Sequence, residues 1–160
     1  MNDTKKKIIE SSITLIAQYG YTNYTLGTLT KYMDISKGVV NYHFPQKDMV
    51  FDTIMHEYEE KVLSYSLKDY LFFVYHNKDF YITVKEIKQN HRDEKGVLVY
   101  KDIKTNNFKE LCIQAVINAV SDKIANEDID DIEFLTEKTM NMIKIIKGEQ
   151  ENESNNSRNI

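Results

Sequence analysis

A single proline, Pro45, and only five glycines interrupt these 160 residues. Proline and glycine are the residues that normally punctuate a chain, so their scarcity favours long helices. Strand-like alternation is nearly absent, and apolar residues recur at helical spacing instead. Ile9, Ile13, Ile16 and Ala17, flanked by Ile8 and Leu15, mark a first helix, which Gly20 is expected to close as a left-handed cap. Thr25 suits the N-cap of a second helix carrying Leu26 and Leu29. That helix stops near Met33 and Asp34, where Asp tolerates the left-handed conformation of a tight turn. Ser36 caps a short third helix ending around Phe44. Pro45 cannot continue it but suits the start of a fourth, expected over residues 46–65, with Met49, Val50, Ile54, Tyr58 and Val62 on one side.

Farther along, residues 67–76 and 79–91 read as two helices broken near Asn77, and residues 92–104 as a loop around Gly96. Phe108, Leu111, Cys112, Ala115, Val116, Ala119 and Val120 form a strong helical stripe. An acidic connection over 126–131 leads to a last helix with Ile132, Leu135, Thr139, Met142, Ile143 and Ile146. Residues 149–160 are polar and expected to be a disordered tail. The expectation is an all-α chain without internal repeats.

One cysteine precludes an internal disulfide and fits a reducing cytoplasm. The polar first residues do not resemble a secretory signal, and the longest apolar run, residues 71–75, is far too short to span a bilayer. A soluble cytoplasmic protein with no membrane partner is expected. The net charge of −4 is unevenly spread: residues 1–56 carry about +1 and residues 57–160 carry −5. Local placement of lysines matters more than either sum.

Residues 25–44 therefore read as two short helices joined by a tight turn, a helix-turn-helix corner. Val40 and Phe44, four residues apart, can anchor the second helix, leaving Lys37, Gly38, Asn41 and Tyr42 on its other face. Gly38 near a helix start costs about 1 kcal/mol relative to Ala. Close approach of the backbone to a phosphate would offset that cost. Amides at the starts of the second, third and fourth helices can bind phosphate oxygens. Lys37 and Lys47 add charge, and Thr25 and Tyr42 add hydroxyls. Val39 suits a thymine methyl, and Asn41 suits adenine or a phosphate.

Residues 4–62 resemble the N-terminal domain of the TetR family of transcriptional regulators. The resemblance is carried by Ile8, Ile9, Leu15 and Ile16 with the closing Gly20-Tyr21, and by Thr25 and Leu29. Ser36-Lys37-Gly38, Tyr42-His43-Phe44-Pro45 and Lys47-Asp48 complete it. It implies an all-α homodimer whose helix-turn-helix domain (residues 2–62) binds a palindromic DNA operator, with Thr25, Leu26, Ser36, Lys37, Gly38, Val39, Asn41, Tyr42, His43 and Lys47 as the candidate DNA-binding residues. A helical ligand-binding and dimerisation domain would occupy residues 63–148. It also implies a repressor released by a small-molecule effector. The chain departs from the family pattern at several points. Ser11-Ser12 stand where Ala-Ala is frequent, Thr30 and Met33 where Ala is preferred, Asp34 where Gly is preferred, and Asn41 where a phosphate-contacting tyrosine is usual. After residue 148 the helix expected to complete the usual four-helix dimer interface is missing from the pattern.

Eight of the 18 aromatic residues lie in residues 58–81. Tyr58, Tyr65, Phe72, Phe73 and Tyr81, with Cys112, are the candidates for an aromatic ligand pocket, although core packing is the simpler account of any single ring. His43, His56, His76 and His91 show no metal-ligand spacing, and no cofactor is expected. No nucleophile–base or paired-carboxylate pattern points to an enzyme. The competing class is a small-molecule-binding or interaction module without specific DNA binding, against which the phosphate-suited third helix argues.

Overall fold

The computed structural model of the chain describes residues 3–100 and 105–149. The described residues form eight α-helices and no β-strand. They are α1 (Asp3–Tyr19), α2 (Leu26–Met33), α3 (Lys37–His43), α4 (Lys47–Val62), α5 (Leu67–His76), α6 (Lys78–Asn90), α7 (Phe108–Asn126) and α8 (Ile132–Lys147), with a 3-10 turn at Tyr21–Asn23. The all-α fold follows from the near absence of breakers. No described helix is long and apolar enough to cross a membrane. The residues expected to form a disordered tail lie, from 150 onward, outside the described residues, as do 101–104 of the expected loop.

Two compact units divide between residues 103 and 104. In the first, α1 is the central helix and packs against α2, α4, α6 and the 3-10 turn. Its buried face is Ile8, Ile9, Ser12, Leu15 and Ile16. Packing does not pause at residue 62, because α6 lies on both α1 and α4. The Thr83 hydroxyl donates to the Ile13 carbonyl at 2.9 Å, tying α6 to α1.

Local signals explain most boundaries. Thr25 and Thr28 form a reciprocal capping box at the start of α2, and Ser66 and Asp69 form another at the start of α5. Asp34 takes the left-handed conformation (φ 52°, ψ 45°) and ends α2. Gly20 has positive φ but ψ of 160°, so it is not the left-handed cap expected. That backbone region is essentially restricted to glycine, and it steers the chain into the 3-10 turn. α4 ends at Val62 and not near Tyr65, because the Ser66 cap restarts the helix in a new direction. Its buried face is Val50, Phe51, Ile54, Met55 and Tyr58, while Met49 is exposed. Contact with α1 on one side and α6 on the other selects that face. Asn77 both ends α5 and precedes α6, as the expected break requires. The segment after α6 is not a plain loop: Arg92 and Leu98 form an antiparallel bridge around Gly96, which has φ 74°.

In the second unit α7 packs on α8. Ser121, Ile124 and Ala125 of α7 and Thr136, Thr139 and Ile143 of α8 are buried. The apolar stripe expected along α7 is largely uncovered: Phe108 is 77% and Leu111 49% exposed, and Cys112 is only half-buried. On α8, Phe134, Met142 and Ile145 are exposed as well.

Candidate nucleic-acid interface

α2 and α3 pack against each other, and Ser36 caps α3 by accepting from the Val39 amide at 3.4 Å. Val40 and Phe44 are fully buried and clamp α3 to the unit. The opposite side faces solvent: Ser36, Lys37, Gly38, Val39 and Asn41 are exposed, and Tyr42 is 82% exposed. A tyrosine with so little packing contributes little to folding, so its hydroxyl is available to a partner. His43 is half-buried and sits edge-on to Tyr42, with ring centroids 5.0 Å apart. Thr25 is exposed at the start of α2, and Leu26 is half-buried beside it. Lys47 is exposed at the start of α4.

Gly38 is not demanded by the fold. A Cβ there would meet only the Ser36 Oγ, at 3.7 Å, an ordinary contact. The same holds for Gly27 in the first turn of α2, where the nearest atom is the Thr25 Oγ1 at 3.5 Å. Both glycines bare the backbone near a helix start on the outer side, where the chain itself gains nothing from it. Gly27 escaped the sequence reading, although its position near the start of α2 parallels that of Gly38. Lys5 escaped it too; its Nζ lies 5.4 Å from the Phe44 ring, so α1 brings a further cation close to the end of α3.

The start of α4 is backed by aromatic rings. Lys47 Nζ lies 5.3 Å from the Tyr21 centroid and 5.8 Å from that of Phe51. Burial, and secondarily the Asp48 charge, raise the Tyr21 hydroxyl pKa. The neighbouring Tyr24 is 2% exposed, and burial pushes its pKa up from about 10 to about 12.

The proposed ligand-pocket residues separate. Tyr58 and Phe73 are buried and pack with Phe80, with centroid distances of 5.9–6.4 Å, so these rings largely fill one another's space. Tyr65 packs at a tilt against Phe73, with centroids 5.7 Å apart, and, with Phe72, lines an open cleft of about 500 Å³ that also includes Lys68 and Asp69. Tyr81 is buried on α6, and Cys112 belongs to the second unit. A larger open cleft of about 650 Å³ lies between α1, α4 and the α5–α6 junction, over Ile9, Ile13 and Phe80. Among the described residues, no three His, Cys, Asp or Glu side chains gather as a metal site.

Residues 8–54 match the family described as bacterial regulatory proteins, tetR family. No curated protein and no solved structure matches the chain. The matched residues span the end-to-end run from α1 into α4, including the whole α2–α3 corner and its exposed face. Residues 8–54 thus form an N-terminal helix-turn-helix domain of the tetR-family type, which supports a DNA-binding transcriptional regulator.

Proposed function

We propose that this regulator is a homodimeric, ligand-responsive repressor that binds a palindromic operator through α3. The observation that carries the reading is the two-sidedness of α3: Val40 and Phe44 are fully buried, while Lys37, Gly38, Asn41 and Tyr42 are exposed. On this reading Lys37, Tyr42, Lys47, Thr25 and the amides opened by Gly38 hold phosphates. Val39 and Asn41 reach base edges, Ser36 fixes the start of the helix, and Leu26 and His43 flank the contact. Homodimerisation is supported by the uncovered Phe108, Leu111, Phe134, Met142 and Ile145 in the second unit. A dimer places two recognition helices about 34–36 Å apart, one helical turn of DNA. An effector that prefers a different spacing would release the operator. The aromatic cleft at Tyr65, Phe72 and Phe73 offers an apolar floor for such an effector, with Asp69 beside it.

The test is selection of bound duplexes from a random pool, followed by salt titration of the recovered sequence. A palindrome is expected, bound with affinity that falls steeply with salt. Lys37→Ala with Tyr42→Ala should abolish specific binding and leave the fold intact, since both side chains are exposed. Recovery of no preferred sequence, or an unaffected double variant, would overturn the reading.

A further inference from the structure

We infer that His91 and Tyr100, far in sequence from α3, are positioning residues for DNA binding: they fix the two rings, Tyr21 and Phe51, on which the Lys47 ammonium rests. The inference rests on the reading that Lys47 meets a phosphate. An exposed lysine ordinarily samples many rotamers, and ordering it at an interface opposes binding. Here the Nζ already lies over two ring faces, at 5.3 and 5.8 Å, beside the end of the recognition helix.

Those rings do not support themselves. Tyr21 belongs to a three-residue 3-10 turn, and its hydroxyl is bonded to the His91 Nδ1 at 2.9 Å. Its backbone N–H donates to the Glu86 carboxylate at 3.0 Å. Phe51 lies 5.2 Å from Tyr21 and meets His91 edge-on at 5.0 Å. His91 is 6% exposed, directly after α6. Its ring is stacked on Tyr100, with centroids 5.7 Å apart and planes at 29°. The Tyr100 hydroxyl donates to Asp52, the residue after Phe51. The turn between them is closed by the Val99 amide on the His91 carbonyl at 3.0 Å and the Asp93 amide on the Val97 carbonyl at 2.8 Å. The contacts form a ring, from Lys47 through Tyr21, His91 and Tyr100 to Asp52 and back along α4. An apolar residue could fill the space of His91, but only a side chain with a polar ring atom both packs on Phe51 and holds the Tyr21 hydroxyl.

The experiment is a double-mutant cycle on the full chain, with the duplex recovered from the random pool as probe. Lys47→Ala should reduce the slope of log affinity against log salt by about 0.9, one phosphate contact. His91→Leu and Tyr100→Phe should each weaken binding by about two- to fivefold, the range of an exposed cation–ring contact. In the Lys47→Ala background neither should cost anything further. A general loosening of the fold would weaken binding equally in both backgrounds, and that additive result would overturn the inference. An unchanged salt slope in Lys47→Ala would overturn it too. If His91→Leu does not fold, the Tyr100→Phe cycle decides, because that variant keeps the stacked ring. Loss of binding in Lys37→Ala with Tyr42→Ala, together with an additive cycle, would leave DNA binding standing and remove only the role given to His91 and Tyr100.

Discussion

Ser12 shows how one departure from a family pattern acquires a physical reason. It stands on the fully buried face of α1, where the family often has alanine. Its Oγ is 2.7 Å from the Ile8 carbonyl and 2.9 Å from the Tyr24 hydroxyl. A serine has one proton, which goes to the carbonyl, so Tyr24 donates to Ser12. Ser12→Ala should therefore strand a buried tyrosine hydroxyl and destabilise by about 1–3 kcal/mol. Adding Tyr24→Phe should recover most of that loss, as a urea-denaturation cycle would show. The raised pKa of Tyr24 has a second consequence. In the folded state it keeps its proton above the ordinary value of about 10, up to about 12. The folded state binds more protons in that window, so stability is full below pH 10 and falls as pH rises toward 12. Tyr21 and Tyr100 are shifted in the same direction and add to the fall. Tyr24→Phe should flatten part of this alkaline slope in pH-dependent melts.

At the level of elements, α2 and α3 are short, so their ends matter more than their interiors. Asp34 is the only described non-glycine residue with positive φ. Asp34→Gly removes the side-chain cost of that conformation and should stabilise the chain by about 0.5–1 kcal/mol, read as a rise in melting temperature. Thr25→Ala should remove the α2 capping box and cost about 0.5–2 kcal/mol. Because Thr25 is also proposed to touch a phosphate, binding should fall further than the lost stability explains. These ends were legible from single residues: Thr25, Asp34, Ser36 and Asn77 stand where their side chains or backbone preferences require them. The faces were less legible. Phe51 and Met55 are buried in α4 while Met49 is not, because that helix carries apolar residues on several sides and its neighbours choose among them.

For the molecule as a whole, the second unit exposes the apolar residues that a partner would cover. Phe108→Glu with Ile145→Glu introduces charge at side chains 77% and 72% exposed, so the protomer should still fold. The expected outcome is a monomer by sedimentation and weak, half-site binding to a palindrome. An unchanged dimer would move the interface elsewhere. A stable interface of ordinary size buries about 800 Å² per partner, which a stripe along two helices of 19 and 16 residues is long enough to supply.

The sequence by itself determined the helical class, the α2–α3 corner and the exposed character of α3. Those rest on local physics: few breakers, capping side chains, and two anchors four residues apart. Tertiary structure alone decided what depends on residues distant in the chain. It paired Ser12 with Tyr24 and filled the space among Tyr58, Phe73 and Phe80 with their own rings. It also brought His91 and Tyr100 behind Lys47. No periodicity encodes such contacts, because each depends on how separate elements of the chain pack against one another. The helix α3 was visible in the run from Ser36 to Asp48, and the rings beside Lys47 became visible only once the chain was folded.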